Sequence, residues 1–183
     1  LRTQRLLPLF TCTDADAGMG VLGALHAAGL GIVEFTNRSA AAPAVFAEMA
    51  RRAASELPDL VLGARTILDA SQAAAFHDAG AAFVVAPHLD EETGRECAAR
   101  GIGWCPGTGT VTEMMRAARL GAAVIKVFPA DALGGPAFLK AVRGPCPRLR
   151  LMPSGGVTAD PANLAGWLGA GAWCVGIGSQ LVR

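Results

Sequence analysis

One ammonium stands where a folded chain should resist it. Lys126 interrupts the run Ala123-Val124-Ile125-Lys126-Val127-Phe128-Pro129-Ala130, whose apolar residues read as a strand buried on both faces. Burying an unpaired ammonium is costly, so a lysine in mid-strand needs a partner or must shed its proton. Of the sixteen cationic residues fourteen are Arg, and only Lys126 and Lys140 are Lys. An arginine keeps its proton in a protein, whereas a desolvated lysine can become a neutral amine that attacks a carbonyl. The chemistry indicated is Schiff-base formation; the structural alternative is a lysine whose stem packs inside and whose head reaches water at a strand end.

An acid that could serve this amine lies in the run Ile32 to Thr36, where Glu34 is the only carboxylate within any of the expected strands. Two such groups converging from different strands can relay protons, and a buried ion pair is the equally simple alternative. Arg38, four residues after Glu34, suits a planar anion such as a carboxylate, or is a solvated loop charge. Thr66 ends another strand with a hydroxyl able to bond a substrate oxygen, although threonine is common in strands anyway. Phe128 shares a face with Lys126 by the period of two and would wall a small substrate. Ser154-Gly155-Gly156 and Gly178-Ser179 have the composition of turns that offer backbone N–H groups to an anion. The histidines at 26, 77 and 88 are not spaced as a metal set, and an iminium is its own electron sink, so neither a metal nor a cofactor is expected.

The elements that must position these residues repeat. A strand-like run followed by an Ala-rich helical run recurs about eight times, with strands expected at 6–11, 32–36, 60–66, 83–86, 103–105, 123–130, 149–152 and 173–177. Helices are expected at 14–28, 40–57, 69–79, 91–100, 110–120, up to about 142, and 161–168. Asp14 or Thr13 is placed to cap the first, and Thr110-x-x-Glu113 forms a capping-box pattern. Strict alternation implies parallel strands, and eight units imply a closed α/β barrel of the (β/α)8 TIM type as one domain over 1–183. An open doubly wound sheet is disfavoured because the loop after the first strand, Phe10 to Asp14, lacks the glycines of a phosphate loop. No closing helix follows the last strand and none precedes the first, so the terminal helices read as trimmed.

Composition narrows the partners. A net charge of +1 gives no electrostatic case for nucleic acid or an anionic membrane, and glycines and charges interrupt every apolar run before membrane-spanning length. The five cysteines form no CxxC pair and read as reduced residues of a cytoplasmic protein. No leader is visible, and the first residue, Leu1, is not Met. The partner expected is a small molecule.

The set Glu34-x-x-x-Arg38, Gly63-Ala64-Arg65-Thr66, Pro106-Gly107-x-x-Thr110, Lys126-Val127-Phe128-Pro129-Ala130, Pro153-Ser154-Gly155-Gly156 and Gly176-x-Gly178-Ser179 resembles the 2-keto-3-deoxy-6-phosphogluconate (KDPG) and 4-hydroxy-2-oxoglutarate (KHG) aldolase family. The likeness runs the length of the chain in family order. It implies a class I aldolase on a β/α barrel, usually a homotrimer, that yields pyruvate and glyceraldehyde 3-phosphate from a keto acid. Lys126 would be the Schiff-base lysine and Glu34 the acid/base group. Arg38 and Thr66 would hold the pyruvyl carboxylate, Phe128 would pack on its methyl, and Ser154 would face the substrate chain. Gly155, Gly156, Gly178 and Ser179 would receive the phosphate. KHG as main substrate and a non-catalytic barrel kept for assembly are the competing readings. Two residues depart from the family pattern: Ser154 replaces the usual Thr, and Arg65 the usual Gly. Strand alternation turns Arg65 away from Thr66, which predicts that it packs among the helices; the alternative is an extra cation near the mouth that alters acceptor preference.

Overall fold

In the computed structural model, which describes residues 3–178, the alternation becomes nine short strands and seven helices. In chain order these are β1 (Leu6–Phe10), α1 (Ala15–Ala27), β2 (Ile32–Thr36), α2 (Ala42–Glu56), β3 (Val61–Arg65), α3 (Ala70–Asp78), β4 (Phe83–Val85) and α4 (Glu91–Arg100). Next come β5 (Gly103–Cys105), β6 (Gly107–Thr108), α5 (Val111–Arg119), β7 (Ile125–Val127), α6 (Gly135–Arg143), β8 (Leu151–Pro153), α7 (Pro161–Gly169) and β9 (Val175–Ile177).

Every ladder is parallel. Six strands form a curled sheet in the order β5-β4-β3-β2-β1-β9, and β6-β7-β8 form a second sheet. Each of the eight expected strands has its counterpart, with a ninth, β6, where a turn is expected after 103–105, but the ladders fall into two sheets and do not form one continuous closed barrel. Pro106 has no N–H to give a ladder and divides the fifth strand into β5 and β6. Its carbonyl still accepts from the Lys126 N–H at 2.9 Å, so the lysine strand is anchored at the break itself.

Local signals start the helices where the sequence places them. Asp14, Asp69, Asp90 and Asp160 each accept from a backbone N–H of the first turn of their helices. Thr110 and Glu113 close a full capping box on α5. Each such cap contributes about 1 kcal/mol.

Register decides what faces inward. In a parallel ladder paired residues share a face, and the rows Leu9-Glu34-Gly63-Phe83-Gly103 and Thr36-Arg65-Val85-Cys105 run across β1 to β5 on the concave side. The alternate row, Phe10, Phe35, Ala64, Val84 and Trp104, packs outward against the first four helices. A second outer layer joins β7 to β9 with α5 to α7, while Leu7, Val85, Cys105, Val124, Met152 and Cys174 form the inner apolar cluster. The concave side is thus mostly apolar, with a few charges set into it.

Gly107 carries the lysine strand. It is paired with Lys126, and a β-carbon there would collide with the backbone carbonyl of Pro87 in the loop after β4. Since neither backbone can yield cheaply, Gly107→Ala should destabilise the fold by about 1–3 kcal/mol, read as a lower midpoint in urea with an unchanged slope.

Candidate active site

Three charged side chains are buried together inside the curl of the sheet. Glu34 on β2 is 1% exposed, Arg65 at the end of β3 is 6% exposed and Lys126 on β7 is 2% exposed. Arg65 Nη1 donates to Glu34 Oε1 at 3.0 Å, and the pair is the one ion pair buried on both sides among the described residues. Among the described residues Lys126 makes no ion pair; its Nζ lies 4.4 Å from the centroid of the Phe128 ring.

This corrects the expectation for Arg65, which faces the lumen and not the helices. Alternation was counted from Thr66, but Thr66 lies past the last residue of β3 with φ at 59° and has left the extended strand. The strand's own period, counted from Gly63, sends Arg65 inward, two residues further on the same face. The register of β2 on β3, which sets Arg65 opposite Thr36, fixes this direction.

Above these charges opens a cavity of about 500 Å³ at the carboxyl ends of the strands. Of the residues expected at the site, Arg38, Phe128, Ser154, Gly155, Gly156 and Gly178 line it, and so does Arg65. Lys126, Glu34 and Thr66 are not among its walls, and the Thr66 hydroxyl is buried without a partner among the described residues. Ser179 lies outside the described residues. Gly176, part of the motif that ends in Ser179, also reaches the cavity, as do Thr11 and Thr158, ordinary loop residues that no sequence pattern marks. Gly155 and Gly156 hold φ at 90° and 79°, backbone that suits glycine, and Asn163 Nδ2 donates to the Gly156 carbonyl at 3.2 Å.

Among the described residues, Glu34 Oε2, Arg65 Nε, Thr36 Oγ1 and Thr66 Oγ1 are buried with no hydrogen-bond partner, and of these four residues Arg65 alone lines the cavity. Buried polar atoms are normally paired, so orphans on and beside a cavity-lining arginine suit a site that receives a polar ligand.

The charges also shape one another. Burial, and after it the guanidiniums of Arg65 and Arg38, lower the Lys126 pKa from 10.5 to about 8 against the upward pull of Glu34 and Cys105. Burial raises Glu34 above the usual carboxylate range against the pull of Arg65 and Lys126. Burial likewise raises Cys105, and it raises Cys174 to about 12, so both thiols stay neutral. An amine near neutrality, a carboxyl with one free oxygen and an open cavity suit nucleophilic attack on a carbonyl with proton relay.

A buried amine and acid beneath a cavity at the carboxyl ends of parallel β/α units define a carbonyl-handling enzyme of the β/α class. The chain belongs to the KDPG and KHG aldolase family, whose model matches residues 1–183. It is 39% identical to the 2-dehydro-3-deoxy-phosphogluconate aldolase of Pseudomonas aeruginosa over 96% of this chain and 77% of that protein. It is 33% identical to the KHG/KDPG aldolase of Escherichia coli over 100% of this chain and 83% of that one. A crystal structure of KDPG aldolase from Legionella pneumophila, with pyruvate captured at low pH as a covalent carbinolamine, superposes with a TM-score of 0.89 at 28% identity, covering 100% of this chain and 85% of that one.

The buried ammonium should weaken the fold. An unfolded lysine titrates near 10.5 and the folded Lys126 near 8, so between those values the unfolded chain binds the extra proton and stability rises with pH. Below pH 8 the penalty is fully present. Lys126→Met should therefore stabilise the protein at pH 7 by about 2–4 kcal/mol, and urea titrations should show that gain shrinking as the pH is raised toward 10.5.

Proposed function

We propose that this chain is a class I aldolase cleaving 2-keto-3-deoxy-6-phosphogluconate to pyruvate and glyceraldehyde 3-phosphate, with Lys126 as the imine-forming residue. The observation that carries the reading is a lysine 2% exposed and drawn down to a pKa of about 8, beneath a cavity and across from a buried acid. Neutral Lys126 attacks the C2 ketone, and loss of water from the carbinolamine leaves an iminium. Glu34, directly or through a water, takes the C4 hydroxyl proton; the C3–C4 bond breaks and its electrons pass into the iminium, giving an enamine and the aldehyde. Protonation at C3 and hydrolysis of the imine then free pyruvate. The unpartnered Oε2 of Glu34 supports this role, because the other oxygen is engaged by Arg65.

Arg38 and Thr66 hold the pyruvyl carboxylate, Phe128 packs on the methyl, and Ser154 faces the substrate chain. The turns at Gly155 and Gly156 and at Gly178 and Ser179 take the phosphate through backbone N–H groups. Support comes from the position of Gly155, Gly156 and Gly178 on the cavity wall and from the open hydroxyl of Thr66. Residues 1–183 form one domain on a closed β/α barrel. The closure is supported by hydrogen bonds across both gaps between the sheets, from Ala123 N–H to Trp104 O at 3.0 Å and from Trp173 N–H to Leu151 O at 2.8 Å. The enzyme assembles as a homotrimer, for which the exposed Val111 and Met115 of α5 leave apolar surface, and it works in the cytoplasm on a small keto acid.

Incubation with pyruvate and borohydride should add one reduced pyruvyl group, and peptide mapping should find it on Lys126; label on Lys140 would refute the assignment. Lys126→Arg should abolish trapping with the far-UV circular dichroism retained. Because the phosphate supplies binding remote from the reacting carbons, kcat/KM on 4-hydroxy-2-oxoglutarate should be lower by about 100-fold or more. Equal values on the two substrates would favour the unphosphorylated keto acid instead.

A further inference from the structure

We propose that Arg65 is a positioning residue: it holds the Glu34 carboxylate on its own side of the lumen, away from Lys126, so that the lysine meets substrate as a neutral amine. The inference rests on the imine mechanism above and adds to it a residue that touches neither the ketone nor the aldehyde.

The lumen holds two cations and one carboxylate at close quarters, and the carboxylate cannot serve both. The geometry gives it to Arg65. Arg65 extends from the strand next to Glu34, and its Nη1 meets Oε1 at 3.0 Å, whereas Lys126 projects from β7 in the other sheet and has no anionic partner among the described residues. Of the two cations only the lysine can release its proton, since a guanidinium stays charged in any protein environment. The charge imbalance therefore falls on Lys126.

No other group nearby restores the balance. The charged or titratable groups acting on Lys126 are Glu34 from β2, Arg38 beyond its end, Arg65 from β3 and Cys105 from β5. Arg38 adds positive charge, while Cys105, and Cys174 near it on the chain leading into β9, are buried thiols held neutral. The pairing is also one-sided. Arg65 Nε and Glu34 Oε2 both remain unpartnered, so the contact fixes the carboxylate through one oxygen and leaves the other for proton transfer.

The two-lysine composition makes the test clean, because lysine labelled at Cε gives two signals and Lys140→Arg, an exposed position on α6, identifies Lys126. In the unliganded protein, Arg65→Met should raise the Lys126 titration midpoint by about one pH unit. Trapping by pyruvate and borohydride should then slow about tenfold at pH values below both midpoints. With Glu34→Gln already in place, Arg65→Met still removes the guanidinium's own repulsion of the lysine but frees no carboxylate to fall back toward it, so the midpoint should rise by clearly less. An unchanged midpoint, or an equal rise with and without Glu34, would overturn the proposal. Arg65→Gln, which keeps a donor without the charge, serves if Arg65→Met does not fold. A wild-type protein that pyruvate does not trap would sink the imine mechanism itself, whereas the resonance midpoint judges Arg65 independently of turnover.

Discussion

The interaction on which the site depends is the shortage of negative charge inside the sheet. Glu34, Arg65 and Lys126 are all buried, and one carboxylate faces two cations. In a low-dielectric interior such an arrangement persists only if one proton is loosely held or an anion is welcomed. Both outcomes suit a site for a keto acid. The loosely held proton belongs to Lys126, and the residual positive field, joined by Arg38 at the rim, favours an anion in the cavity.

The surrounding fold makes this tolerable by keeping the charges on a short inner row. The outward row from Phe10 through Trp104 supplies the helix-facing core, where Phe10, Phe35, Phe46 and Phe76 meet ring to ring. The inner apolar cluster of Leu7, Val85, Cys105, Val124, Met152 and Cys174 fills the rest of the curl. Burial of apolar side chains on both faces of each strand contributes about 1.5–3 kcal/mol per large residue, and so offsets the few polar groups that function requires. The same burial is what moves the lysine's proton affinity, so packing and reactivity share one cause.

Much of this was legible in the residues alone. The alternation of elements, the caps at Asp14 and Thr110, and the shared face of Lys126 and Phe128 follow from local rules that nothing in the tertiary structure overrides. The split at Pro106 has an equally local cause but was hidden, because a two-residue strand is too short to carry a pattern. Arg65 was obscured for a different reason. Its direction depends on where the extended backbone ends, and a single residue in the left-handed region, Thr66, breaks the count that alternation relies on. Long-range partners such as Glu34 with Arg65 are fixed by register between strands, a property of pairs that one strand's composition does not encode.

Thr66 itself has a wider meaning for how this protein can evolve. A branched side chain at a φ of 59° is held against its conformational preference, at a cost on the order of 1–3 kcal/mol that its neighbours must absorb. Glycine or asparagine there would relax the backbone, and drift toward a sturdier chain would favour either. A lineage that keeps a branched hydroxyl residue at this bend therefore forgoes robustness, and paralogues under no demand for that hydroxyl should be recognisable by having let the bend relax.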